Sequence, residues 1–185
     1  MKRVMKVAGI AMVVVALAGA STAEADARRG FARGANGAAG GWARQGQYGS
    51  SAGARAVRYG SGAAGFRAGS FAGPNGGTFQ GANAGAFKKG VGGARASKFS
   101  SQGPNGASAS GYSNNVYNAQ TGTGTRNSGK DINTASGQSY GYDGSTSYTK
   151  GSGATSTIDT QNKGDYTVEW QKGAKPVVTP VPSSP

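Results

Sequence analysis

The sequence predicts a largely disordered, glycine-rich chain with a small C-terminal all-β module of antiparallel hairpins and an N-terminal signal-peptide helix. Three observations lead there. Ala27 to Lys130 holds thirteen Lys and Arg residues and no Asp or Glu. Glycine, which loses the most backbone freedom on ordering, occurs 35 times in 185 residues. Large apolar residues are scarce: beyond residue 25 there is no Leu or Met, and nine Val or Ile with six Phe make up roughly a tenth of the chain. That share is below the ~20% at which disorder becomes the default expectation. Ordering costs about 1–2 kcal/mol per residue in backbone entropy, and a fully buried large apolar side chain returns roughly 1.5–3 kcal/mol. On that count no packed globule is expected.

The leader comes first in the chain. Lys2, Arg3 and Lys6 form a positive n-region, Val7 to Ala18 is uncharged and apolar, and small residues follow. This is the pattern of a cleaved secretory signal peptide over residues 1–25, with cleavage sites open between Ala20 and Ala27. The apolar run is short against the ~20 residues a spanning helix needs, so no integral membrane span is expected after cleavage. Removing residues 1–25 leaves seventeen bases against six acids, a formal charge of +11. Export to the periplasm, cell surface or extracellular space is the expected localisation.

Residues 26–111 read as a cationic, Gly/Ala/Arg-rich low-complexity region. Aromatics fall five to twelve residues apart, from Phe31 and Trp42 to Phe87 and Phe99, and show no apolar period of 3.6 or 2. Short Ala-containing stretches such as Ser51–Tyr59 have nascent-helix character. Gly73-Pro74-Asn75-Gly76 recurs as Gly103-Pro104-Asn105-Gly106, and Gly81/Gly111, Phe87/Tyr117 and Gly92/Gly122 keep that register of thirty. Pro followed by Asn-Gly suits a tight turn.

Residues 112–173 are Tyr-, Thr- and Ser-rich and contain acids, so hairpins become credible. One candidate pairs Ser139–Tyr142 with Ser145–Thr149 across Asp143-Gly144. A second pairs Ala154–Thr160 with Asp165–Trp170. In it Tyr166, Val168 and Trp170 share one face, and Asp165, Thr167 and Glu169 the other. Residues 174–185, with four prolines, read as an extended tail. Gln120-Thr121-Gly122-Thr123-Gly124 resembles the Q-x-G-x-G fragment of curlin repeats. That resemblance covers five residues, occurs once and assigns no roles.

The chain has no His and no Cys. The common catalytic triads and dyads and thiolate metal sites are therefore unavailable, and neither enzyme activity nor a cofactor or metal is expected. The bases Arg28, Arg29, Arg33, Arg44, Arg55, Arg58, Arg67, Lys88, Lys89, Arg95 and Lys98 form a candidate polyanion-binding set, since a cationic chain gathers polyanions by counterion release. Tyr140, Tyr142, Tyr148, Tyr166, Val168 and Trp170 are candidates for β-pairing or assembly. The expected function is an exported, non-enzymatic structural or surface protein. Its expected partners are anionic envelope polymers, lipid headgroups or extracellular DNA. The alternative is a self-assembling β-rich matrix or fibre subunit.

Overall fold

A computed structural model describes residues 26–182, and the expected signal-peptide helix lies outside them. Almost all of the described chain is strand: β1 (Asp26–Gly34), β2 (Gly37–Gly46), β3 (Gly49–Arg58), β4 (Gly62–Ala72), β5 (Thr78–Lys88), β6 (Gly92–Gln102), β7 (Ser108–Asn118), β8 (Thr123–Asn133), β9 (Ser139–Thr149), β10 (Gly153–Thr160), β11 (Asp165–Gln171) and β12 (Val177–Val181). Each strand pairs antiparallel with its neighbour in sequence, giving one 12-stranded sheet in order β1 to β12. The sheet is open, since β1 pairs only with β2 and β12 only with β11. No described residue is helical.

This overturns the expectation of a largely disordered chain with a small hairpin module. Order in this chain does not come from buried large side chains. Here each strand closes onto the next through a loop of two to five residues, so the loop-closure cost is small at every step. The backbone groups are then satisfied by the ladder itself. Ser51–Tyr59, read as nascent helix, lies in β3 and the turn after it. Asp143-Gly144 is no turn but the middle of β9, paired with Gly129 and Ser128 on one side and with Asp159 and Ile158 on the other. Val177–Val181, expected in an extended tail, pairs with β11. The hairpin read across Gln161–Gly164 is present as β10–β11, and its two side-chain sets alternate across the strand as expected.

The thirty-residue register has a structural meaning, namely two strands and two turns. At one end of the sheet, Gly73–Gly77, Gly103–Ala107 and Thr134–Gln138 form the same five-residue bend. In each, the first N–H donates to the last carbonyl at 2.7, 2.7 and 2.8 Å. The fourth residue of each donates back to the first at 3.1, 3.1 and 3.0 Å. That fourth residue is Gly76, Gly106 or Gly137, with φ of 85°, 84° and 83°, a conformation L side chains rarely adopt. At the other end the turns bond to one another. Tyr59 N donates to Asn36 O at 3.0 Å, Lys89 N to Ser61 O at 2.7 Å, Ala119 N to Val91 O at 2.9 Å, Lys150 N to Gly122 O at 2.8 Å and Lys172 N to Ser152 O at 3.0 Å. The turns thus extend the ladder beyond the strands.

No large side chain is buried among the described residues. The residues that are buried are glycines: Gly53, Gly92, Gly111, Gly124 and Gly129. Both faces of the sheet are therefore surfaces, and its packing lies within them. Substituting Gly106 by Ala should destabilise the sheet by about 1–2 kcal/mol, the cost of a left-handed L residue. Gly103→Ala, which has no positive φ, should cost less. Urea midpoints of the two variants check this.

Candidate functional site

Strand alternation sorts the side chains onto two faces, and the register carries the sorting across all twelve strands. The row Arg29, Trp42, Gly53, Arg67, Asn83, Ser97, Ser113, Ser128, Gly144, Ile158, Tyr166 and Pro180 lies on one of them. We term this side the ring face. Counting by twos from that row adds Phe31, Phe71, Phe79, Phe87, Phe99, Tyr117, Tyr140, Tyr142, Tyr148 and Trp170. The opposite face carries most of the strand alanines, among them Ala54, Ala68, Ala84 and Ala96.

The rings lie over glycines. Directly opposite pairs on the ring face include Phe31/Gly40, Trp42/Gly53, Phe87/Gly93, Phe99/Gly111 and Tyr148/Gly124. A Cβ on Gly53 would fall 3.0 Å from Trp42 Nε1, and one on Gly111 2.7 Å from Phe99 Cε1. On Gly124 it would meet the Tyr148 ring itself. One row alternates rings on odd strands (Phe87, Tyr117, Tyr148, Trp170) with small residues on even strands (Gly93, Gly124, Ala154). Across Gly124 the Tyr117 and Tyr148 rings are parallel to within 5°, with centroids 6.2 Å apart.

The charges are sorted too. Arg29, Arg33, Arg44, Arg55, Arg67, Arg95, Arg126 and Lys130 stand on the ring face. The strand acids Asp131, Asp143, Asp159, Asp165 and Glu169 stand on the alanine face. No two bases are directly opposite: Arg55 faces Gly40 and Gly65, Arg67 faces Gly53 and Asn83, and Arg95 faces Gly85 and Asn115. Like charges directly opposite would be destabilising. The Arg44 guanidinium lies 5.7 Å from the Trp42 ring centroid, within cation–π range. Shallow grooves run between these side chains. One of about 530 Å³ is bordered by Trp42, Arg55, Arg67 and Phe87 and floored by Gly40, Gly65 and Gly85.

Of the expected polyanion-binding bases, the structure brings Arg29, Arg33, Arg44, Arg55, Arg67 and Arg95 onto this one face. Arg28, Arg58, Lys88 and Lys98 point to the alanine face, and Lys89 sits in the β5–β6 turn. Arg126 and Lys130, outside the expected set, belong with the first six. Tyr140, Tyr142, Tyr148, Tyr166, Val168 and Trp170, expected to serve pairing, lie on the ring face as well. The pairing itself is made by backbone over the whole chain. Position modulo two within each strand would have separated the faces, once the turns were placed.

The alanine face has one ring-on-glycine pair of its own, Tyr112 over Gly129. The Tyr112 hydroxyl donates to Asp143 Oδ1 at 2.7 Å, and Gln161 Nε2 donates to Asp131 Oδ1 at 3.5 Å. The bond to Asp143, with desolvation and the nearby Asp143 and Asp131 charges, raises the Tyr112 pKa above the usual phenol value. No protein-family model matches the chain, and no curated protein or solved structure shows significant similarity to it.

Gly111→Ala should destabilise the protein by more in the presence of Phe99 than in a Phe99→Ala background, with a coupling of about 0.5–3 kcal/mol for groups in contact. A double-mutant cycle by chemical denaturation measures it. For Tyr112, a raised pKa means the folded state holds the phenolic proton more tightly than the unfolded one. Its contribution is complete below the unfolded value of about 10 and is lost as pH rises through the higher folded value. Tyrosinate absorbance should show one of the 8 tyrosines ionising above the usual range, and Asp143→Asn should bring it down.

Proposed function

We propose that this protein is an exported, non-enzymatic, glycine-rich surface protein that holds extended anionic polymers of the cell envelope or extracellular space on its ring face. One observation carries the reading: every charged strand residue on that face is a base, set among half-exposed rings above a glycine floor. Neutralising a polyanion there releases its counterions, and the rings add stacking or apolar contact. Arg55, Arg95 and Arg126 share one row. Adjacent strands are ~4.8 Å apart, so the backbone positions of these arginines stand about 14 and 10 Å from one another along a line across the strands. A polymer laid along that line meets a cation at each interval. Both faces carry charges at mid-strand, Arg67 and Arg95 on one and Lys98 and Asp143 on the other. Neither therefore offers the continuous apolar band that a lipid-facing strand surface requires. The leader at residues 1–25 is what supports export.

A second reading, self-assembly into a β-rich matrix or fibre, draws on the exposure of the sheet. Phe71, Phe87, Tyr140 and Trp170 are all about half exposed and could pack against another sheet.

The ring-face reading predicts a difference between two variants that lose equal charge. Replacing Arg55, Arg67 and Arg95 by Gln should weaken binding to single-stranded DNA and to an anionic polysaccharide. It should also lower the slope of log K against log salt by about 2, at ~0.7 for each phosphate no longer neutralised. Replacing Arg58, Lys88 and Lys98 by Gln should change both little. Both tryptophans, Trp42 and Trp170, stand on the ring face, so their fluorescence should respond to saturation. Equal weakening in the two variants would remove the ring face from the account. Binding to anionic vesicles but to neither polymer would reassign the ligand to lipid headgroups.

A further inference from the structure

The two edges of the sheet are not alike. Pro180 sits in β12 opposite Tyr166. Having no N–H to give β11, its nitrogen faces away from the sheet. Pro176 and Pro182 flank β12 directly on either side, so the outer side of β12 lacks a donor at Pro180 and neither flanking residue has an N–H to extend the edge. Proline on an edge strand is a known block to further pairing. β1, Asp26–Gly34, carries no proline over nine residues. Among the described residues it pairs only with β2. It also carries Phe31, at 75% the most exposed large apolar side chain described.

We propose that the outer edge of β1, which no described strand covers, pairs antiparallel with β1 of a second copy, making a closed two-fold dimer centred on Gly30. The charges select this register. Centred on Gly30, Arg29 comes opposite Phe31 of the second copy, Arg28 opposite Ala32, and Ala27 opposite Arg33. Arg29 and its own copy are then diagonal rather than opposed. Centring on Arg28 or Arg29 sets an arginine against itself, and centring on Phe31 sets Arg29 against Arg33. The bases that would discourage pairing in general therefore permit one long register. A two-fold axis perpendicular to the sheet keeps each face on its own side, so the two ring faces become one continuous surface. The proline edge lies outermost on both copies, and the assembly closes at two instead of growing into a fibre. The pairing does not depend on the ring face binding a polyanion, since it uses backbone groups of β1 alone.

The chain contains no Cys, so a single introduced thiol reports the register. A Cβ on Gly30 meets nothing within 4 Å. Gly30→Cys should be tolerated and should place two thiols opposite one another, at a Cα separation of about 4.5–5.5 Å that a disulfide can bridge. In Ala32→Cys the thiols are offset by four residues, about 13 Å, and should not cross-link. Phe31→Lys brings a lysine opposite Arg29 at both symmetric contacts and should give a monomer with unchanged far-UV circular dichroism. Sedimentation velocity of the exported chain should show a two-chain species. The proposal is overturned by a monomer, by larger open assemblies, by equal cross-linking at Gly30 and Ala32, or by a Phe31→Lys variant that stays dimeric. A full-length chain that becomes dimeric only on removal of residues 1–25 would support it and show that this segment competes for the edge. One that stays monomeric without them would overturn it.

Discussion

The structure depends on one contact, an aromatic ring laid across a glycine on the next strand. A single-layer sheet exposes its backbone ladder to water on both faces. A ring over a glycine covers that backbone where no Cβ intervenes, and it shields its own inner surface in the same step. This is why four of the five buried glycines, Gly53, Gly111, Gly124 and Gly129, are those facing Trp42, Phe99, Tyr148 and Tyr112. Glycine normally weakens a strand for want of a side chain to pack, and here the neighbour's ring supplies the missing packing.

Electrostatics follow from the same spacing. Because an uncharged residue stands directly opposite each strand base, a chain with thirteen bases and no acid from Ala27 to Lys130 can lie in adjacent strands without opposing like charges. Arg55 between Gly40 and Gly65 is the type example. After Asp26 at the start of β1, the strand acids enter only from β8 onward, and there only on the alanine face. The sheet is thus cationic and aromatic on one side along most of its width.

Part of this was legible in the sequence. The Asp165–Trp170 strand, its hairpin partner and the Pro-Asn-Gly turns were readable because their chemistry is local. The first seven strands were not, because their period of two does not alternate apolar with polar. In β5, Phe79, Gly81, Asn83, Gly85 and Phe87 alternate with Gln80, Ala82, Ala84 and Ala86, which hydropathy reads as noise. The available signal was punctuation: Gly60, Gly76, Gly90, Gly106, Gly122, Gly137, Gly151 and Gly164 have positive φ at intervals of roughly 13–16 residues. Asp143-Gly144 misled because the dipeptide suits a turn in isolation, yet both neighbouring strands claim it. Composition separates Arg126 and Lys130 from the earlier bases because it changes at about Tyr112, whereas β7 runs through that point unbroken.

The central claim is that the cationic half is as fully part of the sheet as the Tyr- and Thr-rich half. Amide hydrogen exchange of the chain tests it most directly. The account predicts protection in every strand from β2 to β11, with the turn glycines exchanging first. Exchange at random-coil rates through residues 37–102, with protection confined to residues beyond Tyr112, would contradict it.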